Sequence, residues 1–222
     1  MTNRRDYDEM LRRGLDGIVA AVLLLALAPL VAMIALLVRA TSRGPVLFAQ
    51  ERIGKDGAVF RLLKFRTMVA DAPARGPAVT ADGDPRITRV GAWLRRWKLD
   101  ELPQLANVVR GDMALVGPRP EVPRYVAGYS PQQLAVLRVR PGVTDPASLA
   151  FVDEAAVLAR FPDPERAYVE TILPRKLALS LAYLERRTLW SDLGVLVRTL
   201  VRVVRPQGTH QENIDMACLA DR

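Results

Sequence analysis

A chain of 222 residues has room for one packed domain and one attached element, not for two large domains. Half of it is hydrophobic and a quarter is charged, which excludes both a disordered chain and one made mostly of membrane spans. A net charge of +8 and a pI near 10.2 point to anionic partners, while a single cysteine, Cys218, excludes a disulfide framework or a cysteine zinc site and fits a reducing compartment.

The first element in the chain is its one long apolar run. Ile18 to Val38 is 21 residues without a charge, and at about 1.5 Å per residue it reaches roughly 30 Å, the thickness of a hydrocarbon core. The run exceeds a secretory h-region and lacks a small-residue cleavage site, so it is expected to stay in the mature chain. Pro29, in its middle, lacks an N–H and clashes with the preceding turn, which predicts a break there. Basic residues flank both ends, with Arg4, Arg5, Arg12 and Arg13 before it and Arg39 and Arg43 after it. Because Lys and Arg favour the cytoplasmic side, this balance favours a re-entrant hairpin over a straight span, and five uninterrupted apolar turns disfavour an ordinary core helix. Residues 1–40 are read as this membrane-embedded element, 41–205 as a cytoplasmic domain and 206–222 as a polar tail.

Gly44-Pro45 then turns the chain. Residues 46–50 and 58–65 read as two strands of a hairpin around Gly54-Lys55-Asp56-Gly57. Residues 69–86, with Pro73, Gly76, Pro77, Gly83 and Pro85, predict a mobile loop or lid. Helical spacing resumes at Ile87, Val90, Gly91 and Leu94, and residues 132–139, 153–160 and 164–182 read as helices. The last element, 191–205, sets Leu193, Leu196, Val197, Leu200 and Val204 on one side and Arg198, Arg202 and Arg205 on another. That is the pattern of an amphipathic interfacial helix, and equally of a solvated face over a core. The fold class is mixed, helix-rich α/β.

The densest chemistry lies in Leu99-Asp100-Glu101-Leu102-Pro103-Gln104-Leu105. Pro103 suits a first helical turn, so Asp100 is placed near the N-cap, Glu101 beside it, and Gly111 at the helix end. A helix start favours ionised carboxylates and can receive a phosphate. Adjacent oxygen donors suit Mg²⁺, and a second carboxylate could attack phosphorus. An Asp-Glu pair opening a helix is more often a simple cap, so the pair alone leaves both readings open. In Gly117-Pro118-Arg119-Pro120 two prolines restrict the backbone and aim Arg119 as a phosphate clamp. Lys64-Phe65-Arg66-Thr67-Met68 and Arg138-Val139-Arg140-Pro141-Gly142 are further basic clusters, which taken singly are ordinary surface patches.

Together, these motifs, with Gly111-Asp112-Met113 and Arg140-Pro141-Gly142-Val143-Thr144, closely resemble the bacterial sugar transferase family, in order and at family-like spacing from about Arg12 to Arg205. These are small monotopic phosphoglycosyl transferases. The resemblance implies a catalytic domain on the cytoplasmic face of a bacterial inner membrane, acting with Mg²⁺ on a UDP-sugar and a polyprenyl (undecaprenyl) phosphate among membrane lipids. It implies a first membrane step of glycoconjugate or polysaccharide assembly, in which Asp100 attacks the sugar-bearing phosphate, UMP leaves, and the phosphosugar passes to the lipid. Glu101 would bind Mg²⁺, Arg119 would hold phosphate oxygens, and Lys64, Arg66, Arg95 and Arg140 would contact nucleotide or lipid phosphate. A homodimer stays open.

Two departures from the family pattern bear on this. Ala28 precedes Pro29 where a serine is usual, so no hydroxyl helps satisfy the freed carbonyls. Asp145-Pro146-Ala147-Ser148-Leu149-Ala150-Phe151 replaces a common Gly-Trp-Ala-Gln run, so the sugar is not named. A non-enzymatic membrane adaptor would instead bind anionic vesicles without turnover. Nucleic-acid binding has only the charge in its favour, much of it beside the apolar run, and no nucleic acid is expected as a partner.

Overall fold

The computed structural model describes residues 4–76 and 79–204. The tail 206–222 with Cys218, together with Arg205 and Pro77, lies outside the described residues.

The apolar run folds as two helices, α1 (Arg4–Ala26) and α2 (Ala28–Thr41), which meet at Leu27 with a bend of 64°. Pro29 occupies the first turn of α2. There its missing N–H leaves no helical bond unmade, and its ring cannot follow a continuous helix from Leu25. Backbone bonds hold on both sides of the break, Leu27 N–H to the Leu23 carbonyl and Val31 N–H to the Leu27 carbonyl, each at 2.9 Å. Among the described residues no single helix is long and apolar enough to cross a membrane; the bent pair qualifies only together.

β1 (Leu47–Ile53) and β2 (Val59–Phe65) form the antiparallel hairpin, in register from Leu47 opposite Phe65 to Ile53 opposite Val59. The turn between them is where the sequence predicts it, and Asp56 and Gly57 take the positive φ values it needs. A second, parallel pair joins β3 (Ala114–Val116) to β4 (Gly142–Thr144). Beside it the backbones nearly touch: a Cβ on Gly142 would lie 2.1 Å from the Gly117 nitrogen. Both sheets are two-stranded, so the fold is α/β but dominated by helices.

The remaining helices are short. They are α3 (Ala72–Arg75), α4 (Arg89–Arg96), α5 (Gln104–Arg110), α6 (Pro123–Val126), α7 (Pro146–Ala150), α8 (Glu154–Leu158), α9 (Pro164–Ala167), α10 (Leu173–Glu185) and α11 (Leu189–Val204). The sequence predicts one helix over 164–182; instead α9 passes into a π-helical turn, Tyr168–Ile172, before α10. Pro174, in the first turn of α10, cannot donate to the carbonyl four residues back, and a wider turn absorbs that defect. Described residues of the stretch 69–86, expected as a mobile loop or lid, make specific contacts. Arg86 is buried and donates to both Asp84 carboxylate oxygens and to the carbonyls of Ala72 and Val79, tying its ends together. Asp82 N–H reaches the Ala155 carbonyl at 3.0 Å, which fixes the segment to α8.

Three apolar clusters hold these parts. Ala20 of α1 packs with Leu62, Leu105, Val108, Met113 and Leu115, and Ile34 and Val38 of α2 pack with Phe65 and Leu94. The third cluster, around Tyr125, Val136, Leu158, Tyr168, Ile172 and Leu177, lies under the C-terminal helices. Each arm of the bent pair therefore has one face on the domain. The other face is bare: Leu25 is 78% exposed and Leu36 72%, whereas Ala20 and Ile34 are sealed. Large bare apolar area of this kind is uncommon in a protein surrounded only by water.

Candidate active site

α4 and α5 are joined by a tight reversal. α4 ends at Arg96, Lys98 takes the left-handed conformation at φ 55°, and Leu99–Glu101 forms a 3₁₀ turn. Asp100 and Glu101 thus sit on that turn and not at the N-cap of α5, a position Pro103 holds. The expected cap fails because the amides it would serve already have partners. Glu101 N–H bonds the Lys98 carbonyl and Leu102 N–H the Leu99 carbonyl, both at 3.3 Å, and Leu105 N–H bonds the Leu102 carbonyl at 3.1 Å. The Asp100 carboxylate instead turns inward, 6% exposed, with Oδ1 buried and unpartnered. Gly111 ends α5 at φ 87°, as the sequence predicts.

Asn107, which sequence reading overlooks, sets this turn against the hairpin. It is fully buried; its Oδ1 accepts from Leu63 N–H at 3.0 Å and its Nδ2 donates to the Arg61 carbonyl at 2.8 Å. With α5 fastened to β2 in this way, Lys64 reaches Glu101: Nζ donates to Oε1 at 3.2 Å. Arg119 also donates to it, through Nη2 to Oε1 at 2.7 Å, with Nη1 3.5 Å from Oε2. Arg119 follows β3, and the chain beside it is held by Gly117 N–H to the Thr144 carbonyl and Gly142 N–H to the Pro118 carbonyl, both at 3.0 Å.

The two neighbouring carboxylates are driven apart electrostatically. Burial pushes the Asp100 carboxyl up, and the charge of Glu101 pushes it further; Lys64, Arg95 and Lys98 oppose this without cancelling it. Burial also acts against ionised Glu101, but Arg119 and Lys64 outweigh it and hold Glu101 well below the usual carboxylate range. At an effective dielectric near 20 each close cation is worth about 4 kcal/mol, so two suffice against a desolvation cost of several kcal/mol. Arg119 is in turn held protonated by Glu101. One acid is firmly anionic and clamped; its neighbour is buried, less acidic and partly unbonded.

Lys64, Asp100, Glu101 and Arg119 come together here. Arg95 lies within electrostatic reach of Asp100 while its Nε donates to Thr67 Oγ1 at 2.8 Å. Arg66 and Arg140 do not join them. Arg66 is buried against the C-terminal end of α2, donating to Ser42 O and Oγ at 2.8 Å each and to the Pro45 carbonyl. Carbonyls left open where a helix stops are a natural sink for a guanidinium. Arg140 faces α1, 3.8 Å from Glu9 and 3.9 Å from Asp16, with Nη1 3.4 Å from the Met113 carbonyl. Pro29 lies at the helix break, outside the four-residue group.

Among the described residues no three His, Cys, Asp or Glu side chains converge as a metal site. The pair nevertheless fits Mg²⁺ by donor chemistry. Asp100 Oδ1 is an orphaned carboxyl oxygen, and Glu101 Oε2 has the one long contact to Arg119. This ion commonly takes one or two protein carboxylates and fills its shell with water and substrate phosphates.

The fold and site define a helix-rich α/β domain that carries a clamped acidic pair and a bent apolar helix pair with one bare face. The comparisons narrow the class: the bacterial sugar transferase family matches residues 7–206, and the chain belongs to that family. It is 38% identical over 206 residues to the undecaprenyl-phosphate glucose phosphotransferase of Komagataeibacter xylinus, covering 90% of this chain and 37% of that protein. To the UDP-glucose:undecaprenyl-phosphate glucose-1-phosphate transferase of Caulobacter vibrioides it is 38% identical over 197 residues, covering 86% and 69%. To the UDP-N-acetylgalactosamine-undecaprenyl-phosphate N-acetylgalactosaminephosphotransferase of Aeromonas hydrophila it is 34% identical over 193 residues, covering 86% and 43%. The chain thus spans less than half the length of two of these relatives and about two thirds of the third. Their names carry different sugars at similar identity.

Proposed function

We propose that this chain transfers a sugar 1-phosphate from a UDP-sugar to polyprenyl phosphate at the cytoplasmic face of a bacterial inner membrane, opening the assembly of a polysaccharide or glycoconjugate. The observation that carries the reading is Asp100: a buried carboxylate with one unpartnered oxygen, next to a glutamate held by two cations. The relatives named for undecaprenyl-phosphate sugar transfer support the substrates.

In the first step an Asp100 oxygen attacks the sugar-bearing phosphorus. A P–O bond forms to the carboxylate, the bridging P–O bond of the diphosphate breaks, and UMP leaves with the electron pair. Arg119 and Lys64 hold phosphate oxygens, sharing themselves between Glu101 and the substrate. In the second step an oxygen of polyprenyl phosphate attacks the same phosphorus, the acyl phosphate bond breaks, and Asp100 is regenerated as the lipid diphosphate sugar departs. Burial of Asp100 serves both steps, since a poorly solvated carboxylate is a more reactive nucleophile and the adduct is shielded from water. Glu101 would hold Mg²⁺, whose chemistry there is to neutralise phosphate charge.

The bare faces of α1 and α2 support a monotopic, re-entrant seating in one leaflet, and α11 adds exposed Trp190, Leu193, Val197 and Leu200 to an interfacial surface. Asp100→Asn tests the reading: UMP release from UDP-sugars with polyprenyl phosphate should vanish, and full activity in that variant would refute the assigned nucleophile.

A further inference from the structure

Behind Arg119 lies a second set of buried polar groups, and neither the acid pair nor the phosphate contacts account for it. Glu121, two residues on, is 7% exposed. Its Oε1 accepts from the Tyr168 hydroxyl, and its Oε2 accepts from Arg52 Nη1 at 3.3 Å. The same Arg52 nitrogen donates to the Pro120 carbonyl at 2.9 Å, while Nη2 is held by Gln50 Oε1 at 2.7 Å. Glu121 is fixed through its backbone as well, its carbonyl accepting Ile53 N–H at 2.9 Å. Arg52 belongs to β1 and Tyr168 opens the π-helical turn, so the residues flanking Arg119 on its C-terminal side are tied at once to the hairpin and to the C-terminal helices. Lys176 lies over the Tyr168 ring at 5.4 Å and pairs with Glu154 at 2.6 Å, which closes the assembly from α10 and α8.

An ion pair with a tyrosine this deep is costly to bury and gives weak net stability compared with an apolar packing of the same volume. Its return is directional. With the Pro118 carbonyl held on one side and the Pro120 carbonyl on the other, Arg119 has a single backbone setting from which to meet Glu101.

We propose that Arg52, Glu121 and Tyr168 are positioning residues for Arg119, setting its grip on the anionic donor without touching the reacting atoms. The inference rests on the reading that Arg119 binds phosphate of the donor substrate. In the full chain in detergent, UMP binding is measured by titration calorimetry for the native chain, Glu121→Gln, Tyr168→Phe, Arg119→Ala and the double variant Glu121→Gln/Arg119→Ala. Loss of a hydrogen bond to a charged group should weaken UMP binding about tenfold or more in Glu121→Gln, and about threefold to tenfold in Tyr168→Phe. In the Arg119→Ala background the Glu121 change should cost less than about twofold, because both act through one group. Turnover measured in parallel should show a raised KM for the UDP-sugar with kcat little changed in Tyr168→Phe. Additive losses in the double variant, or native UMP affinity in both single variants with melting temperature unchanged, overturn the proposal. A native chain that binds UMP but gives no turnover with any UDP-sugar instead counts against the transferase reading and leaves the binding cycle decisive for this one.

Discussion

Arg119 and Glu101, 18 residues apart in the chain, meet through Nη2 and Oε1 at 2.7 Å, on the carboxylate oxygen that also takes Lys64 Nζ at 3.2 Å. Two cations on one part-buried oxygen exceed what one carboxylate needs, and on the proposed function the excess charge would serve an incoming phosphate. Arg119→Lys keeps the charge but loses the two-pronged contact. It should lower kcat/KM for the UDP-sugar by about tenfold to a hundredfold while the fold survives, as steady-state UMP release would report. Native kinetics in that variant would remove Arg119 from the site.

Asp100 has a pH signature. Burial, with Glu101, raises its carboxyl, so the proposed nucleophile should lose its charge at a higher pH than an ordinary aspartate. The acidic limb of the kcat/KM profile should therefore lie above the usual aspartate range. Arg95 favours the charged form, so Arg95→Gln should move that limb to still higher pH. An acidic limb that moves down, or stays put, contradicts the assignment.

The same shift has a cost in stability. A carboxyl whose folded pKa lies above its unfolded value binds its proton more tightly when folded, so stability falls as pH rises between the two values and stays lower at neutral pH. Asp100→Asn removes that buried charge in a side chain of the same shape. It should raise the melting temperature at pH 7 by about 2–4 °C or more while abolishing turnover, a trade between activity and stability seen by differential scanning.

Arg66 and Arg140 show where sequence reading stops. The motif pattern, through the family it resembles, brings out Lys64, Asp100, Glu101 and Arg119, which the structure places together. The hairpin, too, is legible in Gly54-Lys55-Asp56-Gly57, and the helix break in Pro29. A lone arginine carries no such information, since its partner is chosen by tertiary contact. Arg66 sits in a basic motif yet ends on the carbonyls of residues 42 and 45, and Arg140 in another motif faces Glu9 and Asp16 of α1. Asn107, Arg52 and Glu121 were hidden for the same reason: their work lies in joining elements far apart in sequence. The N-cap expected at Asp100 fails locally, because a 3₁₀ turn had already satisfied the amides.

Arg66→Ala tests whether Arg66 acts at the end of α2 or on the substrate. It uncaps the end of α2, leaves the part-buried Ser42 carbonyl without its guanidinium partner and removes a buried side chain, so it should destabilise the chain by about 1–3 kcal/mol in chemical denaturation. The KM for the UDP-sugar of the folded fraction should stay within about twofold, since the Arg66 guanidinium is engaged at the end of α2 and not with Glu101; a large rise in KM with native stability would return Arg66 to the site.

Gly91 gives a steric test of how the reversal is built. A Cβ there would lie 2.0 Å from the Thr67 carbonyl oxygen, so Gly91→Ala must push α4 off the segment after β2. Since α4 leads directly into the Asp100 turn, stability should drop by about 1–3 kcal/mol or more and turnover should fall with it. An alanine accepted without loss in either measurement would mean that α4 and Thr67 do not approach as described.

Asp100 is the group proposed to take the phosphosugar. The most direct measurement is peptide mass spectrometry of the chain mixed with a UDP-sugar and Mg²⁺ in the absence of polyprenyl phosphate. The expected result is a sugar-phosphate adduct on the peptide carrying Asp100, formed with one UMP per adduct, discharged by adding polyprenyl phosphate, and absent from Asp100→Asn. An adduct on a different residue, or turnover to lipid-linked product in Asp100→Asn, would contradict it.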